Sequence, residues 1–166
     1  MASSSAPLST SAETTRSEHL RHETTILMVG MLYYVAAGMM MAAAVASLVL
    51  KNGTEAAVRF ASLMGLLAAG YGFAGYLLRR LDARARYAAS MMAVLGMLAV
   101  PIGTVFNAYV LWLVHNKKGR TVLSPEYRQV IAETPQIQCR VINSVLALGI
   151  VMVGIAIYRI LEMFLR

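Results

Sequence analysis

The stretch Leu98 to Tyr127, LAVPIGTVFNAYVLWLVHNKKGRTVLSPEY, decides how the rest of the chain is read. It opens apolar, carries Pro101, reaches Trp112 and His115, and closes on Ser124-Pro125-Glu126. A proline inside an apolar helix removes an amide donor and crowds the preceding turn, so the first half reads as the second part of a kinked membrane helix. Tryptophan favours the membrane boundary, which puts the exit from the bilayer near Trp112 and His115. Ser124 then supplies a hydroxyl cap, Pro125 sits where a missing amide does no harm, and Glu126 suits the positive end of a helix.

Outward from this stretch, composition sets the class. The chain has 166 residues, 58% hydrophobic and 14% charged, with a mean hydropathy of +0.62. So few charges cannot coat a soluble domain of this size, and the composition is that of an integral membrane protein. A net charge of +7 would suit nucleic acid in a soluble protein. Here the basic residues flank long apolar runs, so basic loops beside a lipid bilayer are the simpler account and no nucleic-acid partner is expected. The single cysteine, Cys139, excludes an intramolecular disulfide and a cysteine cluster for zinc.

Four apolar runs follow in order. Residues 1–16 are rich in Ser, Ala and Thr and read as a disordered polar tail, with Ser17 as a candidate helix cap. The first run, 26–50, would reach about 37 Å at ~1.5 Å per residue, longer than a hydrocarbon core of about 30 Å, and ends at the turn signal Lys51-Asn52-Gly53. The second, 60–78, places small residues at every fourth position, among them Gly65, Ala69 and Gly72. Lipid gives no hydrophobic drive for helix association, so such residues mark candidate packing faces. Arg79, Arg80, Arg84 and Arg86 crowd the loop that follows, and short basic loops stay cytoplasmic, which would make both termini cytoplasmic as well. The third run is 87–114, with Pro101 near its middle and Thr104 and Asn107 beyond it. The fourth, 141–165, carries Asn143 as a candidate partner for the Asn107 amide, which is costly in lipid unless bonded.

Between the third and fourth runs, residues 125–133 form a short amphipathic surface helix with Tyr127, Val130 and Ile131 on one face, a candidate contact for a partner. This region also carries a resemblance. P-I-G-T, then Y-V-L-W, then S-P-E-Y-R-Q-V-I-A-E-T-P is similar to a pattern in small uncharacterised multi-span bacterial membrane proteins, some with a cytoplasmic zinc ribbon ahead of their spans. The likeness covers about Leu98 to Arg140. Asn107 stands where a small residue is usual there, Gln136 replaces a histidine, and the cysteine-free head of this chain cannot form a zinc ribbon. The resemblance implies a multi-span bacterial fold with a cytoplasmic head and carries no activity.

Residues that could do chemistry have plainer readings. The methionines, for example Met28, Met31, Met39, Met91 and Met92, could offer soft sulfur to copper(I), but thioethers also fill packing gaps, and that is the expectation. His19 and His22 share a helical face with Glu18 and Glu23 close by, yet are read as solvated. Arg159 and Glu162 read as a pair near the interface. Nothing resembles a nucleophile with its base, a paired-carboxylate site or a phosphate-cradling glycine loop. The sequence thus predicts an all-α, four-span membrane bundle in a bacterial cytoplasmic membrane, not an enzyme, without cofactor or metal. Its expected role is a structural or accessory subunit that meets other membrane subunits or copies of itself. The alternatives are a small oligomeric channel or carrier with a path near Thr104, Asn107 and Asn143, or a redox subunit near heme or quinone.

Overall fold

The computed structural model describes residues 6–98 and 101–135, together with 151, 154 and 155. The fourth run, apart from those three positions, lies outside the described residues, and Asn143, Cys139, Arg159 and Glu162 lie outside with it. All regular structure among the described residues is helical: α1 (Ala6–Leu50), α2 (Glu55–Arg79), α3 (Ala85–Gly96), α4 (Ile102–His115), α5 (Lys117–Val122) and α6 (Pro125–Glu133). Two of these, α1 and α2, are long and apolar enough to cross a membrane.

α1 is a single rod of 45 residues, about 67 Å at ~1.5 Å per residue. It begins at Ala6, so the backbone of the segment expected to be disordered is helical up to Arg16, and Ser17 lies inside the helix with its hydroxyl donating to Thr14 O at 2.8 Å. The rod ends at Lys51-Asn52-Gly53, where Asn52 and Gly53 take the left-handed backbone (φ 46° and 67°) and the Gly53 amide donates to Leu48 O at 2.9 Å. Thr54 caps α2 by accepting from the Ala57 amide at 3.4 Å. The two long helices then run antiparallel and pack tightly at Gly30 and Gly75. A Cβ on Gly75 would lie 2.8 Å from Gly30 O, so only glycine permits this approach. Beside that crossing, Tyr33 and Tyr71 meet edge to face with centroids 5.0 Å apart.

Leu81 closes α2 in a left-handed conformation (φ 50°), with the Asp82 amide donating to Leu77 O at 3.1 Å. Burial of the Leu81 side chain in the core offsets the cost of that backbone. α3 then lays Ala85, Ala89, Met92 and Ala93 against α2. Tyr71 donates its hydroxyl to Met92 O at 3.2 Å, and Met92 sulfur fills the space a side chain on Gly70 would need.

Here the structure departs from the third span. Residues 87–114 do not make one kinked helix: α3 ends at Gly96, the chain reverses, and α4 returns alongside α3. Pro101 explains the break, because in a continuous helix its absent amide would have bonded Met97 O. That carbonyl accepts instead from Thr104 Oγ1 at 2.9 Å, which ties the reversal together. The missing side chain of Gly96 admits Asn107 from α4, whose Nδ2 lies too close to leave room for a Cβ there. At 12 and 14 residues, α3 and α4 are about 18 and 21 Å long, short of a hydrocarbon core of about 30 Å.

The reversal decides which segments are neighbours. α4 ends beside α1, with His22 Nε2 bonded to Leu113 O at 3.0 Å. α5 and α6 also pack on the first half of α1, and Arg128 on α6 pairs with Asp82 at 3.6 Å. The arginine-rich loop, the α1 head and residues 115–135 therefore share one end of the molecule. The sequence reading, which carried 115–140 to the end opposite Arg79–Arg86, is corrected by this contact. The turn at 51–54 is at the other end.

Candidate functional site

The polar features of the chain converge where α6 lies against the head of α1. On α1, Ala12, Arg16, Glu23, Ile26, Gly30 and Tyr33 are all buried, at helical spacings of three, four and seven. This one stripe runs from the polar head into the apolar run without a gap. Arg16 and Glu23 are 5% and 3% exposed, as closed off as the core leucines Leu81 and Leu123. Charges survive such burial only when paired and hydrogen-bonded.

The pairing is reciprocal between the helices. Arg16 Nη2 meets Glu23 Oε1 at 3.3 Å, while Nη1 donates to the carbonyl oxygen of Thr134 and to its hydroxyl, the latter at 2.9 Å. Thr134 is the C-cap of α6, so Arg16 sets a positive charge on the negative end of that helix. At the other end, Ser124 Oγ accepts from the Tyr127 amide at 3.2 Å, and the Tyr127 hydroxyl donates to Glu23 Oε2 at 2.9 Å. Glu126, in the first turn, has its carboxyl held below the usual range by a hydrogen bond from its own backbone amide and by the Ser124 hydroxyl. Helix α6 is thus bolted to α1 at its first turn and at its C-cap. Arg16 Nε is buried without a hydrogen-bond partner.

The histidines take part through backbone. Carbonyl oxygens only accept, so His19 Nδ1 carries a proton toward Thr15 O at 2.9 Å and His22 Nε2 carries one toward Leu113 O at 3.0 Å. His22 thereby satisfies a carbonyl in the last turn of α4 that the helix cannot pair itself. The His19 ring lies against Tyr127 with centroids 6.0 Å apart. Among the described residues, no three His, Cys, Asp or Glu side chains gather as a metal site would require.

The residues singled out from sequence are placed as follows. Tyr127 is 2% exposed and Ile131 packs on the core, so the face offered to a partner, with half-buried Val130, is occupied by the chain's own α1. Asn107 is buried, its Nδ2 donating to Gly103 O at 2.7 Å, while its Oδ1 has no hydrogen-bond partner. Thr104 is the tie across the reversal and Pro101 is exposed at its rim. Gly72 meets Ala37 in ordinary contact; Ala69 is exposed, and a Cβ on Gly65 would have nothing within 4 Å among the described residues. Arg79, Arg80 and Arg84 are exposed, with Arg80 over the Tyr76 ring at 4.6 Å and Arg86 over Tyr87 at 5.3 Å.

No family model, curated protein or solved structure matches the chain. The bolt of Arg16, Glu23, Tyr127 and Thr134 is the part that sequence reasoning missed. The signal was present in the spacing, since Arg16 and Glu23 lie seven apart in line with Ile26, but charged residues in a polar head read as solvated. Chemically the arrangement holds two helices in register, with the guanidinium, the carboxylate and the phenol hydroxyl all engaged with one another or with backbone.

Proposed function

We propose that the chain is a multi-pass protein of a bacterial cytoplasmic membrane and serves as a structural or accessory subunit of a larger membrane complex. α1 and α2 cross the bilayer, α3 and α4 enter it from one side as a re-entrant hairpin, and the bolted α6 lies on that same side. The distribution of basic residues supports the orientation: Arg16, Arg21, the four loop arginines, Lys117, Lys118, Arg120 and Arg128 are at one end, with Lys51 and Arg59 at the other. The positive-inside rule makes the crowded end cytoplasmic.

The observation that carries the subunit reading is the second face of α2. One face closes on α1 through Gly75; the other exposes Leu63, Leu66, Ala69 and Phe73, with the open Gly65 among them. Small residues beside large apolar ones are how helices dock on one another in lipid, where close approach replaces hydrophobic drive. Gentle extraction followed by native mass spectrometry tests this. The chain should travel with a fixed set of other proteins, and Gly65→Leu should strip them; a chain that leaves the membrane alone or only as copies of itself overturns the reading. Asn107 favours a second reading as a small channel or carrier, because a buried amide oxygen without a partner at a helix reversal is suited to a polar solute. Solute flux into vesicles that Asn107→Leu leaves unchanged removes that path.

A further inference from the structure

We propose that the groove between the head of α1 and the end of α4 binds a glycerophospholipid with a primary-amine headgroup, an inference that rests on the membrane reading above. A cavity of about 200 Å³ opens there, rimmed by Glu18 and Arg21 from α1 and Lys118 from α5. None of these three charged groups is in an ion pair among the described residues, unlike Arg16 and Glu23 on the adjacent face. Its floor is aromatic: Tyr109 and Trp112 stack with centroids 5.9 Å apart and stay 46% and 59% exposed, in the manner of side chains at a headgroup boundary.

Tyr109 also lines a second, apolar groove of about 650 Å³ with Pro101, Val105 and Phe106. The polar cup and the apolar trough therefore share a wall. Residues 101, 105, 109 and 112 recur at helical spacing along one side of α4. From Trp112 in the cup to Pro101 at the far end of the trough, cup and trough together run about 16 Å at ~1.5 Å per residue, roughly one leaflet of a core of about 30 Å. A cup of mixed charge at the boundary beside an apolar trough, together about one leaflet deep, has the form of a phospholipid.

Charge selects the headgroup. A phosphodiester can take the forked guanidinium of Arg21 and the ammonium of Lys118, leaving Glu18 to accept from a cation. A primary ammonium supplies N–H donors as well as charge. A quaternary ammonium has the charge without donors, and a glycerol head has no cation, so of these three heads only ethanolamine engages all three side chains, its phosphate taking Arg21 and Lys118 and its ammonium taking Glu18.

The test uses the full chain in mild detergent, given ethanolamine, choline and glycerol phospholipids in equal amounts and examined by native mass spectrometry. Preferential retention of the ethanolamine lipid is expected. Arg21→Ala with Lys118→Ala should lower retention of all three classes by about tenfold or more, the effect of losing charge-assisted hydrogen bonds. Glu18→Gln should bring the ethanolamine lipid down to the level of the others while leaving theirs unchanged. All three positions are exposed, and a retained helical circular dichroism spectrum confirms that the variants fold. Equal retention of the three lipids, or retention indifferent to these substitutions, overturns the proposal. So does displacement of the lipid by millimolar glycerophosphoethanolamine, which would assign the cup to a soluble ligand. A carbonate wash of membranes separates the two levels: a chain that washes off refutes the membrane reading itself, and one that stays but does not discriminate refutes only the lipid site.

Discussion

Replacing Arg16 by alanine tests the bolt most sharply. The guanidinium makes two hydrogen bonds to Thr134 and one contact to Glu23 at 3.3 Å, all away from water. Its loss leaves the Glu23 carboxylate, 3% exposed, with the Tyr127 hydroxyl but without its counter-charge. Breaking a buried pair from one side costs about 3–5 kcal/mol, because the remaining charge stays desolvated. The penalty falls on the union of α6 with α1 and leaves the contact between the long helices at Gly30 and Gly75 untouched. We therefore expect local release of α6. At about 1.4 kcal/mol per factor of ten, amide hydrogen exchange across 125–135 should quicken by about a hundredfold or more, up to the limit of exchange in the free segment. Amides in α2 serve as the internal reference. Arg16→Leu with Glu23→Leu removes both charges together and should recover most of the protection, since apolar side chains can replace a buried pair with little loss. Exchange in α6 that Arg16→Ala changes by less than about twofold, with α6 still protected, would refute the reasoning.

Other expectations follow from single contacts. Gly75→Val places atoms against Gly30 O, where even a Cβ would lie at 2.8 Å; the helices must part, and thermal unfolding in detergent should show a loss of about 1–3 kcal/mol. Gly65→Leu in the isolated chain should stay within about 0.5 kcal/mol of the parent by the same measurement, because no described atom lies within 4 Å of a Cβ at that position. The lowered carboxyl of Glu126 contributes to α6 above the ordinary glutamate range, and that contribution fades as pH falls through the lowered value. Hydrogen exchange in α6 followed against pH should show this dependence diminished in Glu126→Gln.

What the sequence made legible was whatever local chemistry decides. The left-handed turn at Asn52 and Gly53 and the Ser124-Pro125-Glu126 start of α6 depend on neighbouring residues alone, and residue type names them. The all-helical class follows from apolar runs too long for strands. Pro101 marked a disturbance in its helix but not its size. A kink and a reversal begin with the same missing amide, and what separates them is the tie from Thr104 to Met97 and the room that Gly96 leaves for Asn107, contacts that exist only once the chain has turned back. The error propagated, because a span counted at 87–114 sends everything after it to the opposite side. That is why Tyr127, Val130 and Ile131 read as an open face when their cover, α1, belongs to the same chain. Arg16 and Glu23 were obscured for a related reason: a charged residue reads as solvated until a helix 118 or 104 positions away in sequence is seen to cover it.

The claim on which the account turns is that α3 and α4 form a re-entrant hairpin, so that the arginine-rich loop and residues 115–135 share a side. Cysteine accessibility measures this directly. With Cys139 changed to serine, single cysteines at Asn52, Ala83 and Thr121 would be challenged in oriented vesicles with a thiol reagent that does not cross the membrane. The hairpin requires Ala83 and Thr121 to react from the same side and Asn52 from the other. Labelling of Ala83 and Thr121 from opposite sides would restore a full span at 87–114 and contradict the account.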